Sequence, residues 1–245
     1  MLEFLRSRSP VFWGSAVILI TGVSLVALAM ATMLTLRETI TLPHGEEISF
    51  ANPKGYVRIG DLDLYTSDID YLRKEYFGDE ELVSFYIHGK ILGVKGKASF
   101  HKLIEQGAIC ITLQKNMARK ISQDEFLKHA KDFRKHFYEN EYESKVQCTK
   151  NDIPKPKECS QFEISKVSDF YILKDTENIF SAGYAVYGNF GAETGKDVFL
   201  RVDSVVFQNG TLFFMHHFKF LSPKDDLAAA IEQCTVILDS MELEP

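Results

Sequence analysis

Apolar and polar positions along this chain change period several times, and each change marks an element. Pro10–Leu36 shows no period at all: these 27 residues carry no formal charge and are rich in Val, Ile, Leu, Ala and Phe. At a rise of about 1.5 Å per residue, roughly 20 apolar residues cross a bilayer core, so the run reads as one transmembrane helix with length to spare. Beyond it, ETITLP and EEISFANP are two short strand-like runs around the turn signal His44-Gly45. Pro53 and Gly55 then punctuate the chain, and alternation resumes at Tyr56-Val57-Arg58-Ile59. From Ser67 the period becomes helical: Ser67 suits an N-cap, Asp68 and Asp70 suit the positive end, and Ile69, Leu72 and Tyr76 share a face until Gly78.

Strand-like runs broken by Gly89, Gly93 and Gly96 follow in LVSFYIHGKILGVKGKASFHK, which reads as a hairpin with a solvated basic tip. Its lysines and glycines do not make a phosphate loop, because Ile91 and Ala98 stand where GxxxxGK[ST] needs Gly and Ser or Thr. Gly107–Leu113 is a continuous apolar run of strand length. The next segment is an amphipathic helix, with Ser122 and Glu125 as a capping box and Phe126, Ala130, Phe133 and Phe137 as the buried stripe. Four runs rich in aromatic and β-branched residues come next: FEISKVSDFYILKD, ENIFSAGYAVYGN, KDVFLRVDSVVFQ and TLFFMHHFKFL. They predict an antiparallel meander, and Asn209-Gly210 between the last two predicts a two-residue type I′ hairpin turn. A final helix is expected with Ser222 as cap, Pro223 at its first position, and Leu227, Ile231, Cys234 and Leu238 facing inward. The fold class is therefore α+β: an N-terminal transmembrane helix followed by an antiparallel β-sheet domain packed with helices, an α/β sandwich.

Charge sets an orientation. Arg6 and Arg8 precede the apolar run, which the positive-inside rule reads as a cytoplasmic N-terminus. Residues 1–9 are then cytoplasmic, 10–36 the signal anchor and 37–245 an extracytoplasmic domain at the cell inner membrane, facing the periplasm. A cleaved signal peptide competes with the anchor, since Ala29-Met30-Ala31 fits a small-x-small cleavage pattern, although the apolar region exceeds the usual length of about 7–15 residues. The chain carries −6, and Glu3, Arg6 and Arg8 contribute +1, so the domain carries −7. An acidic domain has no basic footprint for nucleic acid.

Four cysteines extend the picture. Cys148 and Cys159 bracket the polar, proline-containing loop TKNDIPKPKE, and in an oxidising compartment they are expected to form a disulfide. Zinc would need closer pairs and further ligands, which do not stand beside them. Cys110 and Cys234 lie on a buried strand and a buried helix face, where a bridge is conceivable but geometrically demanding. His129, Asp132 and His136 lie toward one side of the Ser122 helix, but a charged solvated face explains them without a metal. No cofactor is implied. Asn209-Gly210-Thr211 matches a glycosylation sequon placed on a tight turn, a poor acceptor.

The hairpin turn also sets a register. Partners across it have numbers summing to 419, so Asp203 falls opposite His216, with Arg201 two residues along the same face. Arg201, Asp203 and His216 form the candidate ligand-binding group, either lining a pocket or serving as a carboxylate-paired, pH-responsive histidine. The competing reading is a compensated ion pair at the border of a packed face. No catalytic residue is assigned.

The segment EEISFANPKGYVRIG resembles the opening strand, Pro-x-Gly turn and following aromatic of PsbP-like α/β sandwiches, a fold shared with a nuclear-import factor of yeast. The closing helix DLAAAIEQCTVILDSMEL is similar to the end of that family, and the resemblance spans residues 40–243. It implies an accessory or assembly factor and brings no catalytic motif. The expectation is thus a membrane-tethered interaction or assembly module without catalysis, an accessory subunit with protein partners in the membrane or envelope. Its alternative is an anchored small-ligand sensor or enzyme using the Arg201/Asp203/His216 face.

Overall fold

Strand alternation and the Asn209-Gly210 turn build most of the fold. A computed structural model describes residues 37–43, 45–52, 55–59, 80–88, 107–114, 120–150, 163–190, 197–222 and 224–242. The apolar run 10–36, the helix expected from Ser67, the glycine-broken tip of 89–102 and the loop carrying Cys159 lie outside those residues. Among the described residues no helix is long and apolar enough to cross a membrane. The chain divides into two units, Met1–Glu38 and Thr39–Pro245, and the second holds the large sheet and its helices.

The strands are β1 (Arg37–Thr41), β2 (Glu47–Ala51), β3 (Tyr56–Arg58), β4 (Glu80–His88), β5 (Ala108–Gln114), β6 (Glu163–Val167), β7 (Tyr171–Asp175), β8 (Ile179–Asn189), β9 (Val198–Gln208) and β10 (Thr211–Leu221). β1 and β2 pair as a separate hairpin, and the others form one sheet in the order β3-β4-β5-β10-β9-β8-β6, with β7 also on β8. All pairings in the large sheet are antiparallel. The last hairpin has the expected register, His216 opposite Asp203 and Leu212 opposite Phe207. Asn209 and Gly210 both have positive φ, as a type I′ turn demands.

Helices cover both faces. α1 (Gln123–His136) starts with the capping box Ser122/Glu125 and runs into a π-helical turn, Phe137–Tyr142, then α2 (Glu143–Cys148). Phe126 and Phe137 are fully buried, with Ala130 and Phe133 packed against Leu212, Phe214, Phe180 and Tyr184 of the sheet. The opposite face is covered by α3 (Leu227–Glu242) and by the β1–β2 hairpin, whose Ile40, Ile48 and Phe50 share a core with Ile237, Leu238 and Met241. The result is an α+β sandwich of one antiparallel sheet between two outer layers.

Two expectations change. The run FEISKVSDFYILKD is not one strand: it breaks at Ser168–Phe170, and β6 and β7 pair with successive parts of β8. The hydroxyl of Ser168 accepts from Ala185 N at 2.9 Å and from Tyr171 Oη at 2.6 Å, so local hydrogen bonds replace ladder bonds there. α3 begins at Leu227 rather than after Ser222, because Asp226 is the residue whose Oδ1 accepts from Ala228 N and Ala229 N, at 2.9 and 3.3 Å. Asp225 instead accepts from Ser222 N at 2.6 Å in the preceding turn.

Candidate functional site

Period-2 alternation sends Arg201 and Asp203 of β9 and His216 of β10 to the face covered by α1, and the register sets Asp203 beside His216. His216 Nδ1 lies 2.9 Å from Asp203 Oδ1, while Arg201 Nε and Nη2 lie 2.8 and 2.7 Å from Asp203 Oδ2. The three residues singled out from the sequence are therefore in direct contact.

Two further carboxylates complete the group. Glu80, at the start of β4, places Oε2 2.8 Å from His216 Nε2 and accepts a hydrogen bond from the Thr112 hydroxyl. Glu141, in the π-helical turn, places Oε2 2.5 Å from Arg201 Nη1. The chain of contacts runs Glu141, Arg201, Asp203, His216, Glu80, joining the helical arm to β9, β10 and β4. Neither outer carboxylate is legible from local pattern: Glu80 is 136 residues from His216, and Glu141 is 60 from Arg201.

Burial and charge explain the order. The central side chains are 6, 2 and 3 % exposed for Arg201, Asp203 and His216, while Glu141 and Glu80 reach solvent at 32 and 19 %. Three carboxylates face two cations, and the excess negative charge thus falls at the two ends that water can reach. Burial disfavours ionisation of His216, but the Glu80 and then the Asp203 carboxylate outweigh it and lift its pKa to about 9. Each ring nitrogen faces a carboxylate oxygen, which only accepts, so the ring is an imidazolium. Burial opposes the charge on Asp203 too, and Arg201 and His216 outweigh it, holding the carboxyl below its usual range. Arg201 is held well above its ordinary value by Asp203 and Glu141 against the opposing effect of burial. Its guanidinium also lies 5.6 Å from the Phe137 ring and 5.8 Å from the Phe218 ring.

Thr112 Oγ1 is 3.2 Å from His216 Nε2, so Thr112, His216 and Asp203 have the connectivity of a hydroxyl, base and orienting carboxylate. The electrostatics disable that chemistry. An imidazolium cannot take a proton, and the Thr112 hydroxyl is already donated to Glu80 in a fully buried position. A cavity of about 740 Å³ lies elsewhere, lined by Glu163, Tyr187, Asp197, Leu221, Asp225 and Leu227 among others, and includes none of Arg201, Asp203 or His216. What the group does physically is tie the helical arm to the sheet.

The next residue along β10, His217, points to the other face. Its Nε2 is 2.9 Å from Tyr56 Oη and its Nδ1 2.8 Å from Cys234 Sγ, linking β3, β10 and α3. Burial pushes the Cys234 thiol up to about 12, so it stays protonated and unreactive. Burial also raises Cys110, with Asp203 and Glu80 adding to the effect. Cys110 and Cys234 are both free. They cannot bridge, because Cys110 packs on the α1 face and Cys234 on the α3 face. Cys148 is disulfide-bonded, while Cys159 lies outside the described residues. Among the described residues, which include His129, Asp132 and His136, no group of three or more His, Cys, Asp or Glu side chains is placed to hold a metal ion. His136 Nδ1 is hydrogen-bonded to Asn140 at 2.8 Å.

No family model and no curated protein matches this chain. Among solved structures, a point mutant of the protein Mog1 is similar at 11% identity and a TM-score of 0.37, over 84% of this chain and 93% of that one. The Ran-binding protein Mog1p of Saccharomyces cerevisiae is similar at 11% identity and a TM-score of 0.36, over 84% and 92%. At these values the likeness transfers neither partner nor activity to this chain.

Proposed function

We propose that this protein is a membrane-tethered interaction or assembly module that works by binding partner proteins rather than by catalysis. In this reading Pro10–Leu36 is the single membrane span and the α+β domain lies outside the cytoplasm, on the periplasmic side of an inner membrane. The observation that carries it is the disulfide at Cys148, in a domain that follows a 27-residue uncharged run preceded by Arg6 and Arg8. The pattern of residues 40–243 supports the same class, since PsbP-like domains commonly serve as accessory or assembly factors. The alternative, a ligand sensor or enzyme built on Arg201, Asp203 and His216, is disfavoured by the enclosure of those groups and their mutual neutralisation.

The test uses the full-length chain in its own membranes. Carbonate washing is expected to leave the protein in the membrane fraction, and protease added from the outside is expected to degrade the domain while the membrane is intact. Pull-down in mild detergent is expected to bring down membrane or envelope proteins. Release by carbonate, protection from external protease, or recovery of the protein alone would each count heavily against the reading.

A further inference from the structure

The π-helical turn that aims Glu141 inward presents a different set of side chains outward. Tyr138 is 41 % exposed although its ring packs on Tyr142 at 5.5 Å and on Phe170 at 5.3 Å, the latter nearly perpendicular at 89°. Tyr142 and Phe170 close the cluster at 5.3 Å. Glu139, Glu143 and Asp169 are all exposed on the same segments. Burial, then Tyr138, Asp169 and Glu143, push the Tyr142 phenol up, which places those two carboxylates within electrostatic reach of its ring.

We propose that this outer face, Tyr138, Tyr142 and Phe170 rimmed by Glu139, Glu143 and Asp169, docks an arginine- or lysine-bearing segment of a partner protein. The inference rests on the reading of the protein as an interaction module and adds where the partner sits and by what chemistry it is held. Its warrant is that the same arm already holds a guanidinium by these means on its inner side. Arg201 lies against the Phe137 ring while Glu141 takes its Nη1, and Phe137 is itself in contact with Phe170 at 5.7 Å. On the outer side Tyr138 is exposed, and Glu143 and Asp169 lie within electrostatic reach of the neighbouring Tyr142. Of the basic residues flanking the turn in sequence, Arg134 is engaged by Asp175 at 2.9 Å, and Lys135 and Lys145 stand before and after it. An exposed tyrosine among acidic neighbours offers a cation both π-stacking and charge pairing, and such residues are enriched among interface hot spots. π-Helical turns also recur at functional sites.

The probe is a synthetic peptide of alternating arginine and glycine, titrated by fluorescence anisotropy against the full-length protein in nanodiscs at physiological salt, with a glutamate-glycine peptide as control. Tyr138→Ala, which leaves the net charge unchanged, and the double variant Glu139→Lys/Glu143→Lys are each expected to weaken binding about tenfold or more. The charge-matched double variant Glu177→Lys/Glu232→Lys, at exposed positions elsewhere, is expected to weaken it less than about twofold. Equal losses in the two charge-reversed proteins, or no loss with Tyr138→Ala in a protein whose thermal midpoint is unchanged, would overturn the proposal. If Tyr138→Ala disturbs packing on Phe170, the lysine variants decide it. Peptide binding that meets these expectations, in a protein that brings down no membrane partner, supports the face and counts against the module. A partner recovered equally by wild-type and Glu139→Lys/Glu143→Lys protein removes the face and leaves the module.

Discussion

His216 Nδ1 stands 2.9 Å from Asp203 Oδ1, directly across the β9–β10 hairpin. With Glu80 at the other ring nitrogen, the imidazole is charged and enclosed, and its role is to compensate the buried Asp203 and the partly exposed Glu80.

A pH dependence follows from the sign of that shift. The folded-state pKa of about 9 exceeds the ordinary 6.5. The associated stability is therefore fully present below about pH 6.5 and is lost as pH rises through about 9. The whole effect is on the order of 3 kcal/mol. Thermal midpoints from pH 7 to 10 should fall more steeply for the wild type than for His216→Gln. Parallel curves would show that the histidine is not charged in the folded state.

Removing one partner of the chain should cost more than its contact is worth. Arg201→Met leaves the buried Asp203 with only His216 as a cationic partner and Glu141 with none from Arg201, and is expected to destabilise by about 3–5 kcal/mol in urea denaturation. Glu141→Gln acts at a partly solvated end and should cost roughly 1 kcal/mol. The double variant should cost less than the two together, since the pair interacts directly. Strict additivity would mean that the Glu141–Arg201 contact carries no energy.

Gly183 of β8 has no room for a side chain. A Cβ there would meet Arg201 O and Val202 Cγ2, both at 2.8 Å. Gly183→Ala should therefore destabilise by about 1–3 kcal/mol, and it should disturb the backbone that carries Arg201. Amide chemical shifts of Arg201 and Val202 would report this; unchanged shifts and stability would exclude it.

The start of α3 can be tested by two substitutions. Asp226→Ala should cost about 1 kcal/mol through loss of the cap, and Ser222→Ala no more than about 0.5 kcal/mol. The reverse order in denaturant midpoints would place the cap at Ser222.

Thiol accessibility separates the cysteines. Alkylation of the native protein should leave Cys110 and Cys234 unmodified, as both are buried and protonated at neutral pH. Unfolding without reductant should expose both while Cys148 stays unmodified until a reductant is added. Peptide mass mapping reads each step, and labelling of Cys148 before reduction would remove its disulfide.

Local pattern determined much of this protein. The Asn209-Gly210 turn dictates the β9–β10 register, because a two-residue turn and strict alternation leave one pairing, and that pairing puts Asp203 opposite His216. The capping box dictates where α1 begins, and the stripe from Phe126 to Phe137 dictates which side it buries. Only the tertiary structure decided what the polar residues on that face mean. Glu80 and Glu141 arrive from distant segments, and a long-range ion pair leaves no periodic trace in the sequence. The break between β6 and β7 depends on the Ser168 hydroxyl bonding Ala185 N, a contact set by packing rather than propensity. Arg201, Asp203 and His216 were thus legible as neighbours from alternation alone. That they form the buried middle of a longer charge chain was decided by α1 and the π-helical turn folding over them, which shields these three from water and makes each charge depend on the next.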